Sequence, residues 1–260
     1  MKCSEVTYKL ETLSPPSFAE DYDNVGLLIG SKEKEISSIL IALDATKQVV
    51  DEAVGLGVDM ILTHHPMIFR PMKRICAEHF IGEKAIELIK HDICCYAMHT
   101  NFDIIGMADA AADEMGLKDR QVLYVTYEDE IAKEGIGRYG NLSLAMNLKQ
   151  CAYHIKNVFK LEEVRAYGDA ERMIETAAIC PGSGKSVVKT AIEIGVDVLI
   201  TSEIDHNDAL DAMDQGLTII DAGHYGLEKI FVPYMKEYIH REMPGISVHI
   251  AKETCPFWVV

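Results

Sequence analysis

Ile61-Leu62-Thr63-His64-His65-Pro66 is an apolar run that ends abruptly in two adjacent histidines and a proline. A buried strand that delivers two imidazoles to a sheet edge is costly unless the rings bind something, because each carries polar atoms that need partners. Metal is the first candidate. Taken alone, the pair also fits a plainer reading, with one His capping a turn and the other solvated. Two later segments weigh against it: Ala97-Met98-His99-Thr100-Asn101-Phe102-Asp103 and Ala222-Gly223-His224-Tyr225-Gly226-Leu227-Glu228. Each sets a carboxylate four positions after a histidine (103 − 99 = 4; 228 − 224 = 4). If the chain coils after the His, these positions share a face and can approach one ion. Each segment also follows a short β-prone run, 93–96 and 217–220, so three strand ends deliver His or His plus carboxylate.

Around these segments the pattern is that of an α/β chain. A helix over 5–13 stops before Ser14-Pro15-Pro16, since proline excludes helical geometry at the residue before it. A turn and an early strand follow at 23–30, then a strand over 39–43, a helix over 45–56 and a strand over 58–63. This βαβ order implies a parallel sheet with its sites at the carboxyl ends of the strands. The order recurs. Shifted by 138 positions, Thr46 to Thr63 align with Gly184 to Thr201 without a gap, and 8 of the 18 pairs are identical. The His99 and His224 segments align at an offset of 125, so the second copy has 13 fewer residues between its elements (138 − 125 = 13). A duplicated α/β unit accounts for this. Its halves are expected at 1–124 and 125–260, and the segment from about residue 225 is the part able to return to the first half.

Where the first copy has His64 and His65, the second has Ser202 and Glu203. Similar scaffolds with different chemistry favour one shared, asymmetric site over two equal ones. The expected ligands are His64, His65, Asp103, His224 and Glu228. Five ligands with two carboxylates exceed what a structural tetrahedral ion uses, and carboxylates can bridge, so two divalent ions are expected. Their donors permit Zn, Fe or Mn without choosing among them. His99 stands open between a sixth ligand and a partner behind the ligands.

Composition excludes several classes. The chain is 260 residues long and 48% hydrophobic, enough for a full core. A formal charge of −16 argues against a phosphate-backbone binder, so no nucleic-acid partner is expected. Seven cysteines, with no Cys-x-x-Cys among them, suit a reducing cytoplasm, and Cys94 and Cys95 read as core thiols. The first residues form no apolar leader, and no run reaches the roughly 20 apolar residues of a membrane span. Gly135-Ile136-Gly137-Arg138-Tyr139-Gly140 has no βαβ frame and is expected to be a turn. Cys180-Pro181-Gly182-Ser183-Gly184-Lys185-Ser186 fails as a phosphate loop, because Ile179 stands where its first glycine belongs. Asn207 or Asp208 is expected to cap a helix, Ile230 to Tyr238 to present a core face, and 246–250 to form a last strand. The tail Pro256-Phe257-Trp258-Val259-Val260 is apolar enough to call for burial, with another subunit as one cover.

Asp23 to Gly30, Thr63-His64-His65-Pro66, His99 to Asp103, Gly135 to Gly140, Pro181 to Gly184, and Asp221 to Tyr225 with Glu228 together resemble the ordered signatures of the GTP cyclohydrolase 1 type 2-like family, also called NGG-interacting-factor-three-like. The resemblance covers nearly the whole chain. It implies two intertwined three-layer α/β halves, a dinuclear metal centre in the cleft, homohexamers built from dimers, and ligands at His64, His65, Asp103, His224 and Glu228. Tyr22 replaces a usual Trp, Asp205-His206-Asn207 a basic residue with paired histidines, and Gly226-Leu227 a polar pair. The implied reaction is hydrolysis of a nucleotide or related heterocycle by metal-activated water, with GTP as the named substrate. Glu228 and a water would bridge the ions, and His99 or a free carboxylate would shuttle the proton. Two other readings use the same ligands: a metal-binding regulatory or scaffold protein without turnover, and a metallophosphoesterase.

Overall fold

The computed structural model describes residues 1–258. It divides into two compact units, one formed by Met1–Phe102 and the chain from Phe231 onward, the other by Asp103–Ile230. The first begins with α1 (Cys3–Leu13), β1 (Gly26–Ile29), β2 (Ser38–Ala42), α2 (Lys47–Leu56), β3 (Met60–Thr63), α3 (Phe80–Lys90), β4 (Cys94–Ala97) and the single turn α4 (Thr100–Phe102). The second opens on a wide π-turn, Asp103–Met107, and continues through α5 (Ala108–Met115), β5 (Lys118–Glu128), β6 (Lys133–Asn147) and α6 (Leu148–Val158). It is completed by β7 (Arg165–Tyr167), β8 (Met173–Ser183), α7 (Val188–Ile194), β9 (Val198–Glu203), α8 (His206–Asp214), β10 (Thr218–Asp221) and α9 (His224–Glu228). The chain then rejoins the first unit with α10 (Phe231–Glu242) and β11 (Ser247–Ile250).

The first sheet has the order β1-β4-β3-β2-β11, parallel except for β1 at one edge. Every residue of β3 and β4 is buried, as a parallel sheet covered on both faces requires. Leu40, Ile61 and Cys95 of the sheet pack with Val49, Val50 and Ala53 of α2 and with Ala85 and Leu88 of α3. Cys94 and Cys95 are core thiols, and burial pushes Cys95 up to about 12. The second sheet has the order β5-β6-β8-β9-β10-β7; β8, β9 and β10 run parallel, and the others are antiparallel.

The duplication read from the sequence recurs in atomic detail. Gly57 and Gly195, equivalent in the repeat, end α2 and α7 in the left-handed conformation at φ 65° and 80°, which an L side chain adopts only with strain. Asp59 and Asp197 are also equivalent. The Asp59 carboxylate accepts from the Ser37 and Ser38 amides at 2.8 and 3.0 Å and from the Ser38 hydroxyl at 3.0 Å. Asp197 does the same with Glu175, Thr176 and the Thr176 hydroxyl, each at 2.9 Å. Each carboxylate thus staples the start of its strand to the preceding strand of the sheet. Burial pushes these acids up, but the donors outweigh it and hold both below the usual carboxylate range. A lowered folded pKa adds stability above the unfolded value near 3.9, and that stability is lost as pH falls through the folded value. Asp59→Asn is therefore expected to cost about 1–3 kcal/mol in urea unfolding at pH 7 and much less at pH 3. An equal cost at both pH values would show that the charge does not hold the strands.

Two sequence expectations need correction. Gly135 to Gly140 form part of β6 and not a turn. A Cβ on Gly135 would lie 2.0 Å from the Tyr124 carbonyl oxygen and one on Gly140 2.2 Å from that of Lys118, so the glycines admit close approach of β5. The N-cap of α8 is Asp205, ahead of both residues expected to cap it. In the tail, Phe257 and Trp258 are exposed, and Val259 and Val260 lie outside the described residues. Among the described residues, no helix is long and apolar enough to cross a membrane.

Candidate metal centre

In the first unit the register aligns Ala42, Thr63 and Ala97, the last residues of β2, β3 and β4. Whatever follows them emerges at one sheet edge. Asp44 follows β2, His64 and His65 follow β3, and His99 follows β4. Asp23 reaches the same edge from the other direction, because β1 is antiparallel and its first residue, Gly26, pairs with Ala97.

The three imidazoles cluster there. Ring centroids are 4.9 Å apart for His64 and His65, 5.2 Å for His64 and His99, and 5.5 Å for His65 and His99. One nitrogen of each lies within 4.8 Å of the others, close enough to hold a metal ion. His64 is fully buried and packs on the ring of Phe231, at a centroid distance of 5.4 Å.

The partners behind the rings decide which nitrogen faces a ligand. His64 Nδ1 lies 2.8 Å from the Met98 carbonyl oxygen, His65 Nδ1 2.9 Å from Asp44 Oδ1, and His99 Nδ1 2.9 Å from Asp23 Oδ1. A carbonyl or carboxylate oxygen accepts, so Nδ1 carries the hydrogen in all three rings. In the neutral ring Nε2 then holds the lone pair, which is the form that ligates a cation. Asp23 also accepts from the Thr100 amide and hydroxyl. Burial pushes its carboxyl up, yet hydrogen bonds from His99 and Thr100 prevail and hold it far below the usual range. Glu253, just past β11, accepts from the Leu43 and Asp44 amides and so fixes the turn that carries Asp44.

The second unit repeats the plan with other side chains. Cys180, Thr201 and Asp221 are in register on β8, β9 and β10. His224 and Glu228 are the first and last residues of α9, so the segment coils as the i, i+4 spacing anticipated. His224 Nε2 lies 2.9 Å from Glu228 Oε2, and its Nδ1 3.5 Å from Glu203. Glu228 is almost fully buried. Ser202 Oγ accepts from the Gly182 amide at 2.8 Å, so the position equivalent to His64 ties β9 to β8, and the one equivalent to His65 carries an acid, Glu203. Burial pushes the Cys180 thiol up, and the charges of Asp103 and Glu228 add to this; the two acids offer oxygens within 4.8 Å of each other. Asp103 is the first residue of the π-turn, a distortion frequent at functional sites.

The expected site residues fall into two groups, and Asp103 alone of them follows a helical turn and not a strand. His64, His65 and His99 form one in the first unit; His224, Glu228 and Asp103 lie in the second. Sequence reasoning missed Asp44 and Asp23, the carboxylates behind His65 and His99. Asp23 falls in the turn expected at 23–30, and Asp44 directly follows the strand expected at 39–43, the position from which such strands present side chains.

The sequence pattern of the Duf34/NIF3 (NGG1p interacting factor 3) family matches residues 1–256. A Streptococcus pneumoniae protein named GTP cyclohydrolase 1 type 2 homolog is 38% identical, with 96% of this chain and 95% of the relative covered. One of the same name from Clostridium acetobutylicum is 34% identical, with 96% and 93% covered. A crystal structure of a Bacillus cereus protein related to NIF3 superposes with a TM-score of 0.90 over 100% of this chain and 99% of that one, at 25% identity.

Proposed function

Because the chain belongs to the Duf34/NIF3 family, we propose that it is a dinuclear metal-dependent hydrolase of the GTP cyclohydrolase 1 type 2 kind, acting on a nucleotide or related heterocycle. The observation that carries this reading is the set of three imidazoles held as Nδ1–H tautomers by three separate acceptors. A ring held on Nδ1 presents Nε2, the nitrogen that ligates a cation, and three such rings share one sheet edge with one nitrogen of each within 4.8 Å of the others. The names of the relatives support the substrate class.

In this reading His64 and His65 are nitrogen ligands, and Asp103, His224 and Glu228 complete the set for two divalent ions, with Zn, Fe or Mn all suited to the donors. When bound, such ions lower the pKa of a water so that it attacks near neutral pH. Asp44 and the Met98 carbonyl orient the two ligand rings. His99 carries the proton, and Asp23 keeps its ring oriented and stabilises the cation formed when Nε2 takes the proton up. Phe231, fully buried against His64, excludes water from that side. The seven cysteines are all free thiols, in keeping with a cytoplasmic setting, and a homohexamer is part of the same proposal.

The test is turnover of GTP by one preparation before metal removal, after it, and after restoration. Loss of activity on stripping and its return with Zn, Mn or Fe(II) is the expected result. Turnover that is indifferent to the metal would contradict the mechanism; loaded protein that leaves GTP intact would remove GTP as the substrate.

A further inference from the structure

Residues between 67 and 81, from the imidazole pair to the first turn of α3, line an open pocket of about 610 Å³ in the first unit. That volume falls within the range of small-molecule sites. Phe69, Arg70, Lys73, Arg74, His79 and Phe80 are among its walls. The charge of this stretch reverses that of the chain. Against a formal −16 overall, residues 67–81 hold three fixed cations and one acid, Glu78.

Several other cations of this acidic chain meet carboxylates. Lys34 meets Asp92 at 3.3 Å, Lys47 meets Asp51 at 2.7 Å, and Arg120 meets Asp113 at 2.7 Å. Among the described residues, Arg70, Lys73 and Arg74 meet none within ion-pair distance, although acids outnumber bases by 41 to 25. Three like charges within five residues repel one another, and no acid is recruited to offset them. The first turn of α3, an 11-residue helix, lines the same cavity and adds the partial positive charge of its amides. The wall is also fixed in place: a Cβ on Gly82 would lie 2.3 Å from the Cys76 carbonyl oxygen, so only glycine lets the loop seat on the helix.

The cavity adjoins the imidazole cluster. Phe69 on its wall meets the His99 ring edge-on at a centroid distance of 6.2 Å and is 41% exposed, which leaves ring surface open for a flat partner.

We propose that this cavity is the phosphate subsite of the enzyme: Arg70, Lys73 and Arg74 contact the phosphates of a nucleotide, and Phe69 lies against the part of the substrate that reaches His99. The inference rests on the hydrolase reading for the identity of the site and narrows its substrates to phosphorylated ones. Guanidinium and ammonium groups suit phosphate oxygens, and each charge-assisted contact is stronger than a neutral one.

The test is calorimetric binding of GTP and of guanosine to the full-length, metal-loaded chain. GTP is expected to bind at least roughly 100-fold more tightly than guanosine. Arg70→Gln/Lys73→Gln/Arg74→Gln should remove most of that gap and leave guanosine within about twofold of wild type. Lys32→Gln/Lys90→Gln/Lys189→Gln, an equal loss of charge from exposed sites, should keep it. His65→Asn should keep it too, since the phosphates are assigned to the loop and not to the ions. A wild-type chain with no preference for GTP, a gap that survives the first triple variant, or a gap lost equally in the control or in His65→Asn would overturn the proposal. Turnover is read separately: a chain that prefers GTP through this loop yet hydrolyses nothing contradicts the hydrolase and leaves the subsite standing.

Discussion

His65→Ala is expected to abolish metal-dependent turnover, by at least roughly 10³-fold, while the protein stays folded. An ion at a reacting centre supplies several kcal/mol of charge stabilisation, and about 4 kcal/mol corresponds to three orders of magnitude in rate. His65 is the right residue for this test because its ring is only half-buried and its Nδ1 partner, Asp44, is anchored independently by its own backbone amide to Glu253. Removing the ring leaves a site that water can fill, so the thermal midpoint should move by only a few degrees, in line with a cost of about 1 kcal/mol. Circular dichroism, thermal unfolding and turnover on the same sample separate the two effects. Unfolding of the variant, with activity lost only in proportion, would favour a scaffold role in which the ions hold the chain together.

Asp23→Asn is expected to lower turnover by roughly 10²- to 10⁴-fold, although it changes one oxygen for one nitrogen. The Asp23 carboxylate can only accept from His99 Nδ1, at 2.9 Å, and it therefore fixes the proton on that nitrogen. An asparagine can offer its NH₂ group instead, which puts the proton on Nε2 and removes the lone pair that must take up a proton. The Asp23 side chain is inaccessible and accepts from Thr100 as well, so the carboxylate that holds the ring is itself fixed. His99→Ala should be about as damaging, and the double variant no worse than either single one, because the pair acts as a unit. Additive losses would mean that Asp23 serves the fold and not the imidazole.

Much of this arrangement was legible in the sequence. Periodicity and the apolar runs ahead of His64, His99 and His224 located β3, β4 and β10 to within a residue or two, because a parallel strand covered on both faces must be apolar throughout. The repeat announced itself through Gly57 and Gly195, which end helices, and through Asp59 and Asp197, which staple strands; such positions tolerate few alternatives. The i, i+4 spacing of His224 and Glu228 foretold that they share one face, where they lie 2.9 Å apart.

Other features depended on contacts that spacing does not encode. Asp44 and His65 are 21 positions apart and Asp23 and His99 are 76 apart, so the carboxylates behind the imidazoles became visible only once the strand order was known. The Gly135 to Gly140 stretch misled because glycines that admit a neighbouring strand look, in one dimension, like glycines that make a turn. The π-turn at Asp103 has no sequence signal that we can identify.

Elemental analysis of untagged protein, purified without added metal and compared with the His65→Ala variant, tests most directly whether these side chains hold metal. Near two divalent ions per wild-type chain, with a clear loss in the variant, is the result this account expects. A folded wild-type chain that carries no transition metal and takes none up from Zn, Mn or Fe(II) would contradict it.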